Sequence, residues 1–159
     1  MPRPLLAASS LALALLLSGC ADDVLEVTVE QSPDGGGAGT TSANVVFTNT
    51  GSDSCELRGA PGVSVINASG TQLGEPADQQ EVDTPPTITL APGGTAIAPL
   101  ESVNIGSDGG ALGSACPVVD GAAYLVYPPH SFTAFEVPAE VPACEGDTPW
   151  MTVGAVAQG

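Results

Sequence analysis

Few side chains in this sequence are of the types that catalyse reactions, and His130 is the only histidine. It stands in Pro128-Pro129-His130-Ser131, a composition that predicts an exposed loop tip. Catalysis by this histidine would need a nucleophile and an orienting acid in contact with it. Ser131 or a distant aspartate could serve, yet no G-x-S-x-G or H-E-x-x-H motif is present. We therefore predict no catalytic residue and interpret the chain as a protein that is not an enzyme.

Metal coordination is not predicted either. The four cysteines lack the C-x-x-C spacing that is typical of zinc clusters. The carboxylates of Asp22-Asp23 and Glu81-x-Asp83 do not form a loop of alternating oxygen ligands of the kind that binds Ca²⁺. We expect these carboxylates to be solvated, and we expect no metal and no other cofactor.

Cys20 carries the clearest predicted modification. Arg3 supplies a positive charge, and residues 5–17 form an apolar run interrupted only by two serines. A bilayer-spanning helix needs about 20 apolar residues, whereas the apolar region of a secretory signal has about 7–15. The run ends in Leu17-Ser18-Gly19-Cys20, which resembles the lipobox of bacterial lipoproteins, where the thiol receives a diacylglyceryl group before cleavage. The alternative is an ordinary secretory signal followed by an early cysteine.

This pattern predicts a lipoprotein signal peptide over residues 1–19 and a single mature domain over residues 20–159. A single acyl chain gives only marginal, reversible membrane binding, whereas two chains of the palmitate type hold a protein stably. We therefore expect the mature chain on the outer, extracytoplasmic face of the cell membrane, with secretion into the medium as the alternative.

The mature part has about 140 residues, the size of one domain. All eighteen acidic residues lie at or after Asp22, Arg58 is the only arginine there, and lysine is absent. This charge argues against nucleic acid, whose phosphates are bound largely by lysine and arginine. It also argues against an electrostatic attraction to anionic lipid. We interpret the acidity as the property of a soluble, exposed surface.

Short apolar or alternating segments, separated by glycine- and proline-rich turns, predict strands throughout the mature part and almost no helix. Turn residues at 67–70, 91–94 and 128–131 predict three hairpins. Such a chain is expected to fold as an all-β, immunoglobulin-like antiparallel β-sandwich. The predicted strands cover residues 24–30, 44–48, 55–57, 63–66, 87–90, 96–100, 122–127, 132–137 and 150–153.

The aromatic residues allow two interpretations. Tyr124, Tyr127, Phe132 and Phe135 cluster on one predicted hairpin, and Trp150 follows. Aromatic side chains beside a proline-rich turn could form a platform for a sugar or a peptide. We favour the interpretation that they fill the core, because a sandwich of this size needs bulky inward residues.

Several short motifs follow one another in a recognisable order. They are Thr48-Asn49-Thr50-Gly51-Ser52, Cys55, Leu57, Gly59, Pro61-Gly62-Val63-Ser64, Leu90-Ala91-Pro92-Gly93-Gly94, Cys116-Pro117, Tyr127-Pro128-Pro129 and Val137-Pro138. This order resembles that of an actinobacterial family of secreted proteins and lipoproteins known as domain of unknown function 4232. The resemblance covers residues 20–156, departs from the family at Ala60, where an aromatic residue is frequent, and places Cys20 where the family often has a cysteine before the first strand. It implies a β-sandwich outside the membrane and no assigned activity.

Disulfide pairing follows from the predicted hairpin over residues 122–137. The chain enters this hairpin from Cys116 and leaves it toward Cys144, so both cysteines should meet at its base. We therefore predict a Cys116–Cys144 disulfide in an oxidising compartment. Cys55 is expected to be free when Cys20 is lipidated, and to pair with Cys20 in the unlipidated chain.

Together these features predict a lipid-anchored protein of the cell envelope, a non-enzymatic binding or structural module whose ligand is unknown. The membrane is the expected partner through the lipid anchor, with an envelope polymer or another protein as the class of ligand and no nucleic acid. The alternative function is a hydrolase, or an accessory domain of one, that acts on envelope polymers.

Overall fold

Strands dominate the computed structural model, which describes residues 19–159. The predicted signal peptide, apart from Gly19, lies outside the described residues. Two short 3₁₀ segments, Asp22–Val24 and Gly110–Ala115, are the helical elements of the described part. The strands there are β1 (Leu25–Gln31), β2 (Thr40–Asn49), β3 (Cys55–Arg58), β4 (Gly62–Ile66), β5 (Gln72–Leu73), β6 (Asp78–Gln79), β7 (Thr87–Leu90), β8 (Thr95–Val103), β9 (Val118–Tyr127), β10 (Phe135–Cys144), β11 (Met151–Val153) and β12 (Ala157–Gln158).

The larger sheet has six strands in the order β1-β2-β8-β11-β6, with β12 paired to β8. Its strands are antiparallel except for β11 and β6, which run parallel. Alternate residues of β2 are buried, as expected for a strand with one face in the core. Val45 lies opposite Ala98 and Phe47 opposite Ala96, so large side chains of β2 meet small ones of β8. This pairing lets the inner face pack without voids.

The second sheet has four strands in the order β10-β9-β4-β5. Residues 63–66 of β4 are all buried, and because successive side chains point to opposite faces of a sheet, both faces of this strand are covered. The edge strand β10 contains Pro138 and Pro142, and its register with β9 shifts between Pro138 and Val141. Proline is tolerated on an edge strand because a missing N–H there interrupts no ladder on the open side.

Strands β3 and β7 form a separate antiparallel pair. The prediction of a hairpin between residues 87–90 and 96–100 is therefore wrong, since β7 pairs with β3 and β8 with β2. The Ala91–Gly94 turn is held by the end of β2: Asn49 N–H donates to Gly94 O at 3.0 Å, and Gly93 N–H donates to Asn49 O at 2.7 Å. These bonds fix the turn through which the chain passes from the β3–β7 pair to the six-stranded sheet.

The other two predicted hairpins are confirmed. Strands β4 and β5 pair across the turn at residues 67–70, where Asn67 Oδ1 accepts from the N–H groups of Ser69 and Thr71 at 3.0 Å each. Strands β9 and β10 pair antiparallel on either side of the turn at residues 128–131. Strand β10 begins only at Phe135, so Phe132 lies in the connecting loop.

Buried side chains of both sheets and of the β3–β7 pair form one hydrophobic core, and the predicted antiparallel β-sandwich is confirmed. Tyr124 and Trp150 are buried in it, as the core interpretation of the aromatic residues expects, whereas Phe132 is 99% exposed. Among residues 19–159, no helix has the length and apolar character needed to cross a membrane.

Candidate functional site

The predicted disulfide at the base of the β9–β10 hairpin is present. Cys116 precedes β9 and Cys144 ends β10, with their Cα atoms 4.8 Å apart. Both cysteines are buried, and next to the bond Glu145 N–H donates to Pro117 O at 2.8 Å. The bond therefore joins the two open ends of the hairpin.

Cys20 is bonded to Cys55, with a Cα–Cα distance of 4.8 Å. This is the pairing expected for the unlipidated chain, so Cys55 is not free in this structure. A thioether to lipid and a disulfide would use the same sulfur atom, and each molecule can therefore have only one of them. The described residues contain no group of three or more His, Cys, Asp or Glu side chains that could hold a metal ion.

A groove of about 620 Å³ opens beside Cys20. Its walls come from three segments that are far apart in sequence: residues 19–22, residues 56–58 of β3 and the 129–133 loop, with Thr87 completing the lining. The groove contains Arg58 and His130, which are the only arginine and the only histidine of residues 20–159. The two basic side chains of this part of the chain therefore line the same groove of an acidic molecule.

The backbone of the N-terminal segment pairs with β3 along this groove. Gly19 and Glu56 form a parallel bridge, and Cys20 N–H donates to Glu56 O at 3.2 Å. Because β7 occupies the other side of β3, the N-terminal segment extends this small sheet on its outer edge. Strand pairing and the Cys20–Cys55 bond together fix the position of Cys20 on the domain.

The 129–133 loop is tied to the N-terminal segment by a side-chain hydrogen bond. Ser131 Oγ donates to Asp22 Oδ1 at 2.7 Å and accepts from Thr133 N–H at 3.0 Å. Side-chain hydrogen bonds from Thr133 and Ser131 hold the pKa of Asp22 below its ordinary value. Asp22 is therefore ionised at neutral pH and is a strong acceptor for the Ser131 hydroxyl.

His130 lies at the tip of this loop, exposed as predicted, with a left-handed backbone (φ 62°). The structure brings His130, Ser131 and the distant Asp22 to the same groove, but the Ser131 hydroxyl donates to Asp22. In a Ser–His pair the histidine would accept that proton. The Asp22–Ser131 hydrogen bond therefore positions the 129–133 loop against the N-terminal segment. Arg58, also exposed, donates from Nε to Pro85 O at 3.1 Å.

Two polar groups of the core were not predicted from the sequence. The Asn49 side chain is completely buried: Nδ2 donates to Asp53 O at 2.8 Å and to Leu90 O at 3.0 Å, and Oδ1 accepts from Gly51 N–H at 2.9 Å. The alternation of β2 could have indicated its burial, because Asn49 continues the inward face. The buried Trp150 Nε1 has no hydrogen-bond partner among residues 19–159, which no sequence pattern indicated.

The fold and the site define the class of the protein: a disulfide-bonded β-sandwich domain with one groove that contains its few basic side chains. The chain belongs to the family described as Domain of unknown function (DUF4232), whose family model matches residues 20–157. The resemblance seen in the sequence is thereby confirmed. The comparisons with curated proteins and with solved structures gave no match.

Proposed function

We propose that the mature chain is a lipid-anchored module of the cell envelope that binds or supports a partner without catalysing a reaction. The observation that carries the anchor is the apolar run of residues 5–17 that ends at Leu17-Ser18-Gly19-Cys20. The position of Cys20 supports it. Cys20 is only half-buried, and strand β1 begins five residues later, so a lipid on its sulfur would attach at the border of the folded domain.

The disulfides support a location outside the cytoplasm, because such bonds persist in oxidising compartments. All four cysteines of the described part are paired. Lipidation of Cys20 would prevent the Cys20–Cys55 bond, whereas a secreted, unlipidated form would keep it. A membrane-anchored protein would therefore have lipid on Cys20, and a secreted protein would have the Cys20–Cys55 disulfide.

The groove beside Cys20 supports a binding role. It is open to solvent, and it presents a cationic side chain, an imidazole and the exposed ring of Phe132. Such a mixture suits an envelope polymer or a protein segment that has both apolar and polar groups. The net charge of the chain argues against nucleic acid as the ligand.

A hydrolase, or an accessory domain of one, is the second candidate, because His130, Ser131 and Asp22 line the same groove. The direction of the Ser131 hydrogen bond favours the non-enzymatic function. Incubation of the purified domain with envelope polymers distinguishes the two: release of soluble products would support the hydrolase, and retention of the polymer without turnover would support the binding module.

The anchor is tested by Cys20→Ala. Lipidation is then impossible and the acyl anchor is lost, so we expect the protein in the medium or as an unprocessed precursor. Cell fractionation followed by mass spectrometry of the N-terminus measures both. Cys55→Ala is the matched control, because it also removes the disulfide but keeps the lipobox, and it should stay in the membrane fraction. A processed Cys20→Ala protein that remains with the membrane would contradict the anchor.

A further inference from the structure

One large side chain of the groove is almost completely surrounded by water. Phe132 is 99% exposed, and the only other large hydrophobic residue exposed within residues 19–159 is Val82, at 50%. A single exposed aromatic residue is not unusual by itself. Its position is the informative feature, because Phe132 lines the same groove as Cys20.

The loop that presents Phe132 is fixed to the N-terminal segment. Ser131, the residue before Phe132, donates its hydroxyl to Asp22, and Asp22 is two residues from Cys20. The hydroxyl also accepts from Thr133 N–H, so residues on both sides of Phe132 are held. A lipid attached at Cys20 and the ring of Phe132 would therefore lie at the same end of the domain.

We propose that Phe132 and the 129–133 loop form a second contact with the lipid bilayer, beside the acylated Cys20. This inference rests on the proposed function, because it requires the domain to be attached to the membrane through residue 20. Trp and Tyr rings are enriched at the level of the lipid headgroups, and Phe is among the residues with which helices that lie in the interface bury their apolar face at the boundary of headgroups and acyl chains. Because two acyl chains already give stable attachment, the Phe132 contact determines which face of the domain meets the bilayer.

Charge is consistent with this orientation. The groove beside Cys20 contains Arg58 and His130, whereas the rest of the mature chain has no basic side chain. Asp22 and Glu56 also line the groove, and Asp22 is engaged by Ser131. Arg58 offsets one of the two groove carboxylates, so this end of an acidic protein does not present unopposed negative charge to anionic headgroups.

The contact is tested with Phe132→Trp in the lipidated protein, reconstituted in phosphatidylcholine–phosphatidylglycerol vesicles with brominated acyl chains. Bromine quenches indole fluorescence only at short range, so we expect F132W to lose most of the added emission and to shift it to the blue. Val82→Trp is the matched control, because it places an indole at the other exposed hydrophobic position, and its emission should stay unquenched. The buried Trp150 contributes the same background to both variants.

Equal emission of F132W in brominated and ordinary vesicles, or equal quenching of F132W and V82W, would overturn the inference. The first of these results would leave Phe132 available to a partner in the aqueous phase. If cells do not lipidate Cys20, the proposed anchor fails separately, as mass spectrometry would show. The same measurement is then made on a Cys55→Ala chain whose Cys20 thiol is coupled to a maleimide phospholipid, with near-ultraviolet circular dichroism as the test of folding.

Discussion

At the scale of single residues, Asn49 connects three parts of the fold. Its side chain bonds to the backbone of Gly51, Asp53 and Leu90, and its own backbone holds the Ala91–Gly94 turn. Asn49 therefore links the end of β2 to the turn that leads into β8. The turn residues that follow Asn49 were evident in the sequence. Its partner in β7, Leu90, is 41 residues away and could not be inferred from a local pattern.

Asn49→Ala should destabilise the fold by about 2–4 kcal/mol, because it leaves buried backbone groups without partners. The free energy of unfolding in urea measures the loss. Asn44→Ala is the control, since Asn44 lies on the same strand and is only half-buried. A loss that is no larger for Asn49→Ala than for Asn44→Ala would show that the Asn49 side chain contributes little.

His130→Ala should change the stability by no more than about 0.5 kcal/mol, because the side chain is exposed. A non-enzymatic module should also release no soluble products from envelope polymers, with or without the His130 side chain. His130→Gly should be more stable than His130→Ala by about 0.5–1 kcal/mol, since glycine adopts the positive φ of residue 130 without steric cost. Hydrolysis that the unchanged protein performs and a folded His130→Ala protein does not would contradict the non-enzymatic proposal.

At the scale of elements, local signals were sufficient where strands adjacent in sequence also pair. The β9–β10 hairpin, and with it the Cys116–Cys144 bond, follows from turn residues and alternation within one segment. The same signals failed for β7 and β8, because a glycine turn can reverse the chain within a sheet or pass it to another. The groove could not be predicted at all, since three segments distant in sequence form it.

Replacement of Cys116 and Cys144 by alanine should cost about 3–4 kcal/mol, because the unfolded chain regains the entropy of a loop closed over a sequence separation of 28. Urea unfolding of the unlipidated chain measures this. Cys55→Ala should cost a similar amount in that chain. It should cost less in a lipidated protein, where only the buried contacts of the Cys55 side chain are lost and no disulfide is broken. Equal losses in both forms would show that the Cys20–Cys55 bond itself contributes little to the stability.

At the scale of the whole molecule, the charge is extreme. Residues 20–159 have eighteen acidic side chains and one arginine, so repulsion opposes the compact state. An increase of NaCl from about 10 mM to 500 mM shortens the screening length from about 30 Å to a few ångströms. We expect the melting temperature to rise by a few degrees in calorimetry. An unchanged or lower melting temperature at the higher NaCl concentration would contradict the electrostatic cause.

The pairing of Gly19 with Glu56 has a consequence for maturation. The proposed cleavage before Cys20 would remove Gly19 and leave Cys20, whose N–H donates to Glu56 O, so β3 would lose part of its neighbour on the side away from β7 and become more nearly an edge strand. An unpaired edge is a template on which another extended chain can add. Strand β3 is only four residues long and has Glu56 and Arg58 on it, and shortness and charge both discourage such addition. Removal of the signal peptide would therefore also expose backbone groups of β3 that are covered before cleavage.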